Sequence, residues 1–212
     1  MGYFMWFQLL FVSISFYISD GAKSDSYCIT KTSTTSGDVS CLNGDIFLKG
    51  KYIEVGINNV GSYGTNSTAP NSYVYGGKQL GFIADFDQNG FDSGSRYTPG
   101  FAGDYFVPGI PIEGWILQWT TSADDTLTKV NEGLMGREDI KPSTFSITST
   151  DSTQSSLWVG RSGDVQTSIT TSFNNDDMFF TTQITIQNVG SDVISDLYYM
   201  RTVDPDPARV FY

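Results

Sequence analysis

From Phe145 onward the sequence alternates. Phe145 and Ile147 sit among Ser and Thr, Leu157-Trp158-Val159 follows, and Val165, Thr167, Ile169, Thr171 and Phe173 then take every second position. Met178, Phe180, Thr182, Ile184 and Ile186 repeat the pattern. Asn188-Val189-Gly190-Ser191 breaks it with a turn, and Val193 to Val203 reads as a strand with large residues on both faces. A period of two sends alternate side chains to opposite faces of a strand. Regular strands divided by turn signals predict a sandwich.

Upstream the signal is thinner. Ile53, Val55 and Ile57 alternate with Glu54, which predicts a half-buried strand, preceded by the Asp45-Ile46-Phe47-Leu48-Lys49 run. Gln79 to Ala84 predicts a short apolar strand, and Trp115, Leu117 and Trp119 share one face of another. Ser122 to Lys141 reads as a strand pair turning at Glu132-Gly133; a short helix is the rival, weakened by Gly133 and Gly136. Asn58 to Asn71 carries loop residues throughout, and Gly90 to Pro111 is dense in Gly, Pro, Asp and aromatics. The expected fold class is all-β: an antiparallel β-sandwich with a long loop-rich insertion in its N-terminal half.

The N-terminus is different again. Tyr3 to Ile18 is almost wholly apolar or aromatic, interrupted by Gln8, Ser13 and Ser15, and the first charge is Asp20. The run is short of the roughly 20 residues a membrane span needs. Ser19 and Gly21 form a small-residue pair that places cleavage before Ala22, with cleavage after Ala22 as the alternative. This reads as a signal peptide over residues 1–21, although its first residues lack Lys and Arg. The rival is an uncleaved anchor, and such a leader is the only membrane contact the sequence suggests. Cys28 and Cys41 follow it, with a Ser/Thr/Gly-rich spacer between them. In an oxidising compartment the pair is expected to staple an N-terminal segment over residues 22–44, contributing roughly 3 kcal/mol in the chain-entropy treatment. The β-sandwich domain is then expected over residues 45–212. The apolar Val210-Phe211-Tyr212 close behind a strand reads as a cut within a longer protein.

Charge narrows the function classes. The 212 residues carry a net charge of −11 and no His. Nucleic acid and anionic membrane surfaces call for Lys and Arg, so both are disfavoured as partners. Without His there is no Ser-His-Asp or Cys-His catalysis and no His-based zinc site. Carboxylate chemistry and cation binding remain.

Asp85-Phe86-Asp87-Gln88-Asn89-Gly90-Phe91-Asp92 matches the opening of a calcium loop. Side chains at alternate positions can converge on one cation, and Gly90 permits the sharp turn between them. Arg96 stands where an EF-hand needs its twelfth-position acid, and the flanks are strand-like. The expected site is therefore a β-type calcium loop with Asp85, Asp87, Asn89 and Asp92 as ligands. An Asx-rich turn that caps backbone amides is the alternative. Asp104 and Glu113 are a second candidate pair: two carboxylates about 5–9 Å apart beside Trp115 suit glycoside chemistry. Tyr73, Tyr75, Phe91, Tyr97, Phe101, Tyr105 and Trp115 cluster in the loop-rich half and serve either a sugar- or protein-binding surface or the core. Asn66-Ser67-Thr68 is a glycosylation sequon in a loop, which puts the acceptor at Asn66.

Three stretches carry a family likeness: Lys49 to Ile57 with Gly61-Ser62-Tyr63-Gly64, Gly103 to Gly109 with Glu113-Gly114-Trp115, and Leu197 to Arg201 with Asp204-Pro205-Asp206. Together they resemble the N-terminal region of mastigoneme and sexually-induced-protein-type secreted glycoproteins of protists and related bacterial surface proteins. The resemblance covers most of residues 45–209 and implies an extracellular structural or adhesive role, with extracellular proteins or carbohydrate as partners. Those proteins are much longer and Cys-rich, which this chain is not. The expected function is a secreted, calcium-stabilised structural or adhesion module. The alternative is a carbohydrate-active enzyme or a lectin-like binder using the loop carboxylates and aromatics.

Overall fold

The computed structural model describes residues 44–74, 76–91, 104, 106, 113–133 and 135–203 in full, and the backbone alone at 13–15, 26–32, 40–42, 94–95 and 98–99. In chain order the strands are β1 (Ser13–Ser15), β2 (Ser26–Thr32), β3 (Ser40–Leu42), β4 (Asp45–Lys49), β5 (Ile53–Ile57), β6 (Phe82–Ala84), β7 (Gly94–Ser95), β8 (Thr98–Pro99), β9 (Glu113–Thr120), β10 (Thr126–Glu132), β11 (Arg137–Glu138), β12 (Pro142–Ser149), β13 (Thr153–Ser162), β14 (Val165–Asn174), β15 (Thr181–Asn188) and β16 (Ser195–Val203).

The alternating region becomes the large sheet. Strands β12 to β15 form an antiparallel meander, with the backbones of β2 and β1 running parallel along its two edges. Register puts Phe145 opposite Trp158, Trp158 opposite Ile169 and Ile169 opposite Ile184. That row crosses four strands and is buried along its whole length. A slip of one residue would turn it to solvent, so burial of this face fixes the register.

Two smaller sheets complete the sandwich. One has the order β11-β10-β9-β16 and the other β3-β4-β5-β6. Trp115 and Leu117 of the first, and Ile46, Leu48, Ile53, Val55 and Ile57 of the second, join the inner face of the large sheet in one hydrophobic core. Trp115 meets Trp158 edge to face at 5.3 Å, a geometry that contributes about 0.5–1.5 kcal/mol beyond area burial. The all-β sandwich expected from the alternation is what the chain forms. Residues 122–141 form the strand pair β10 and β11, and no helix occurs among the described residues.

One expectation changes. β5 is not half-buried but wholly buried, Glu54 included. The loop-rich insertion folds over the outer face of its sheet and builds a second core from Phe47, Ala69, Tyr73, Leu80 and Ile83. The approach is close: a Cβ on Gly56 would lie 2.1 Å from the Leu80 carbonyl oxygen, so only glycine fits there. Met178 also falls in the turn before β15 rather than on the strand. The expected leader lies outside the described residues apart from the Ser13–Ser15 backbone. So do most of residues 22–44, the side chains of Cys28 and Cys41, and residues 204–212.

Candidate functional site

The segment after β5 has loop composition but runs through the interior. Asn58 and Val60 to Thr65 are all buried. A buried loop must satisfy its backbone polar groups without a ladder. Here local backbone bonds, such as Asn58 N to the Ser62 carbonyl and Gly64 N to the Gly56 carbonyl, share the task with side chains. The Asn58 amide accepts from Val60 N at 3.1 Å and donates to the Gly64 carbonyl at 2.9 Å. Trp115 Nε1 and Asn131 Nδ2 both donate to the Val60 carbonyl, and Trp158 Nε1 donates to the Asn59 carbonyl. Gly61, at φ +76, lies against the Trp158 ring, where a side chain would be strained.

This loop delivers Tyr63 to a charged centre. Arg201 of β16 donates from Nε to Glu113 Oε1 at 2.5 Å and from Nη2 to Oε2 at 3.2 Å, and Nη2 also lies 3.4 Å from the Gly61 carbonyl. Tyr63 N donates to Glu113 Oε2 as well. The guanidinium sits 4.4 Å from the Tyr63 ring centre. Phe106 stacks on the same ring at 5.6 Å. The Tyr63 hydroxyl reaches Thr171 and Thr182 on the large sheet. Burial pushes the Glu113 carboxyl above its ordinary value, against the pull of Arg201. Burial works against the Arg201 charge, but Glu113 outweighs it together with Tyr63 and Tyr199, and the guanidinium is held above its ordinary value. Burial also raises Tyr63, and pushes Tyr199 up to about 12. Arg201 Nη1 and the Tyr199 hydroxyl, both buried, make no hydrogen bond of ordinary geometry, although the two side chains interact with each other.

Among the described residues four more carboxylates are buried, and all of them serve loops. Asp45 accepts from Ser67 N at 2.6 Å. Glu54 accepts from Val74 N at 2.9 and 3.0 Å and pairs with Lys49 at 3.6 Å. Asp85 accepts from Asn89 N at 3.1 Å and Gly90 N at 2.8 Å. Asp104 accepts from three amides, Gly81, Phe82 and Phe106, at 2.6, 3.2 and 2.8 Å. Charge-assisted bonds of this kind are about twice as strong as neutral ones. Burial nonetheless raises the Asp45 carboxyl above its ordinary value.

The candidate pair Asp104 and Glu113 is therefore tied up. Asp104 holds the turn into β6, and Glu113 holds Arg201 and the Tyr63 loop. Of the calcium candidates, Asp85 is buried, Asp87 and Asn89 are exposed, and Asp92 lies outside the described residues. Gln88, Gly90 and Phe91 all take positive φ, so the chain coils tightly around the Asp85 carboxylate. Its two amide bonds leave further lone pairs on both oxygens.

Among the candidate aromatics, Trp115 and Tyr73 are core residues, and Phe91 packs against the second core. Tyr75, Tyr97, Phe101 and Tyr105 lie outside the described residues. Asn66 is exposed. The three stretches that carry the family likeness contain Tyr63, Glu113 and Arg201, but nothing in them predicts that the three meet; the available signal is that alternation puts Leu197, Tyr199 and Arg201 on the inner face of β16, where a charge needs a partner. Searches against protein-family models, curated proteins and solved structures return no match.

Proposed function

We propose that the chain is a secreted structural or adhesion module of a cell surface or extracellular assembly, with calcium stiffening the loop at Asp85, Asp87, Asn89 and Asp92. One observation carries this reading. Every buried carboxylate among the described residues is spent on holding the protein together, Asp104 and Glu113 included. The buried acids of the described loop half thus act as tie points of a scaffold. The apolar leader, the two cysteines after it and the exposed sequon asparagine support the extracellular placement. The resemblance to mastigoneme-type glycoproteins supports the assembly role, with carbohydrate or other extracellular proteins as partners.

The test is expression with the native leader in a secreting eukaryotic host. The expected product in the medium begins at Ala22, has Cys28 bridged to Cys41 and carries glycan on Asn66. At tenfold saturation of a site, calcium adds about 1.4 kcal/mol, or roughly 3–6 °C in Tm for a chain of this size. EDTA reverses that gain. A chain retained inside the cell sinks the extracellular reading, and a melt unchanged by millimolar calcium sinks the ion claim. Glycan hydrolysis by the purified chain, lost in Asp104→Asn, would install the enzyme alternative instead.

A further inference from the structure

Among the described residues, strand β16 is the edge of its sheet and pairs with β9 alone. Edge strands are normally guarded by a bulge, a proline or outward lysines. β16 has a bulge at its start, where register shifts between Ser195 and Tyr198 and Asp196 takes φ 48. From Tyr198 to Val203 the pairing with β9 is regular, and this stretch contains neither Pro nor Lys. Two of its outward positions are large and exposed, Tyr198 at 62% and Met200 at 52%, and Thr202 follows them on the same face. Among the described residues, Val193 and Val203 at its two ends are exposed large hydrophobics as well.

The inner face of the same strand is incomplete. Arg201 Nη1 and the Tyr199 hydroxyl are buried and make no hydrogen bond of ordinary geometry, although the two side chains interact with each other. The Arg201 side chain is only 10% exposed. Its Nε and Nη2 are spent on Glu113, which belongs to β9. The guanidinium is a planar fork, so Nη1 lies on the side turned away from that carboxylate. A buried donor without a well-formed hydrogen bond destabilises the site, and an acceptor arriving beside β16 would complete its bonding.

Charge selects what arrives. Asp192 and Asp196 are exposed near the start of β16, and Asp124 and Asp125 are exposed in the adjoining turn, which Ser122 ties to Asp192 at 3.3 Å. Residues 120–126 and 189–198 contain no Lys or Arg.

We infer that the free edge of β16 is a docking site for an extended strand of a basic partner protein. The strand adds to the sheet by backbone hydrogen bonds, as in β-strand addition generally. Its outward residues are apolar and cover Tyr198 and Met200. An inward residue with a side-chain acceptor meets Arg201 Nη1 and the Tyr199 hydroxyl. A Lys or Arg at one end meets the aspartates. A second copy of this chain is disfavoured, because at net charge −11 it repels itself. This deepens the assembly reading and rests on it.

The experiment uses the full secreted chain and a fluorescent synthetic strand, Lys-Val-Asn-Val-Asn-Val-Lys, followed by anisotropy. Saturable binding that weakens with salt is expected. Replacing the Asn residues with Leu, or the Lys residues with Glu, is expected to weaken it at least about tenfold, the worth of one buried charge-assisted bond. The double variant Tyr198→Lys/Met200→Lys is expected to bind at least about tenfold more weakly with an unchanged Tm, because both positions face solvent. Tyr199→Phe keeps the fold and loses part of the preference for Asn over Leu. The inference is overturned by no binding at millimolar peptide, by equal binding of the Lys and Glu peptides, or by self-association of the chain that the double variant abolishes. If the chain is secreted and retained on extracellular material while the peptide fails, only the edge is lost and the assembly reading stands.

Discussion

Across β12 to β15 the interior repeats every second residue, and its buried polar groups, Gln154, Ser156, Thr167, Thr171 and Thr182, are all neutral. Between residues 45 and 113 the interior instead holds Asp45, Glu54, Asp85, Asp104 and Glu113. Both halves are well buried, but they solve different problems. In the ladder, each backbone amide finds a carbonyl on the neighbouring strand. In the loop half it often finds none, and a carboxylate takes its place, serving as many as three amides at Asp104. A loop can therefore be buried if acids are buried with it, and each must then be held by several donors.

The contrast is broken most severely at Arg201. Arg201→Met leaves Glu113 charged and buried, and should cost about 3–5 kcal/mol in urea unfolding at neutral pH. Adding Glu113→Leu should recover most of that, because an apolar pair tolerates the site. A loss below about 1 kcal/mol for the single variant would mean that the pair is solvated and anchors nothing.

A matched pair of substitutions sharpens the comparison. Ile184→Ala in the ladder should cost about 2–5 kcal/mol through its cavity. Asp104→Ala in the loop half should cost about 1–3 kcal/mol through unsatisfied amides. Hydrogen exchange separates them. Asp104→Ala should speed exchange at the Gly81, Phe82 and Phe106 amides and leave β12 to β15 protected, whereas Ile184→Ala should loosen the ladder as a unit. Uniform loosening by both would show that the two halves unfold as one.

The smallest expected effect is a pH dependence. Burial raises the Asp45 carboxyl above its ordinary 3.8. The folded state thus holds its proton more tightly than the unfolded chain. The associated stability is complete below the unfolded value and falls as pH rises through the folded one. Asp45→Asn removes that slope while keeping an acceptor for Ser67. Wild type minus variant stability should therefore be most favourable to wild type in acid and decline as pH rises above about 4. A difference that grows with pH would reverse the sign of the Asp45 contribution.

The ladder was legible because burial on one face imposes a period of two on every strand. Trp115, Leu117 and Trp119 were legible for the same reason. The anchors were not. Asp45, Glu54 and Arg201 look like ordinary charges on strands, and the amides and carboxylate they hold lie between 20 and 88 residues away. The spacing of Asp104 and Glu113 suggested chemistry, and only their partners revealed structural anchoring.

The sequence by itself determined the fold class and the strands of the ladder, because these depend on neighbours along the chain. Tertiary structure alone decided that the loop after β5 runs inside, that five acids hold the described loops, and that β16 comes last in its sheet among the described residues. Those outcomes depend on which backbone groups find a ladder partner across the molecule. They also depend on the low dielectric of the interior, which makes a well-bonded charge an anchor and an unbonded donor a demand for a partner.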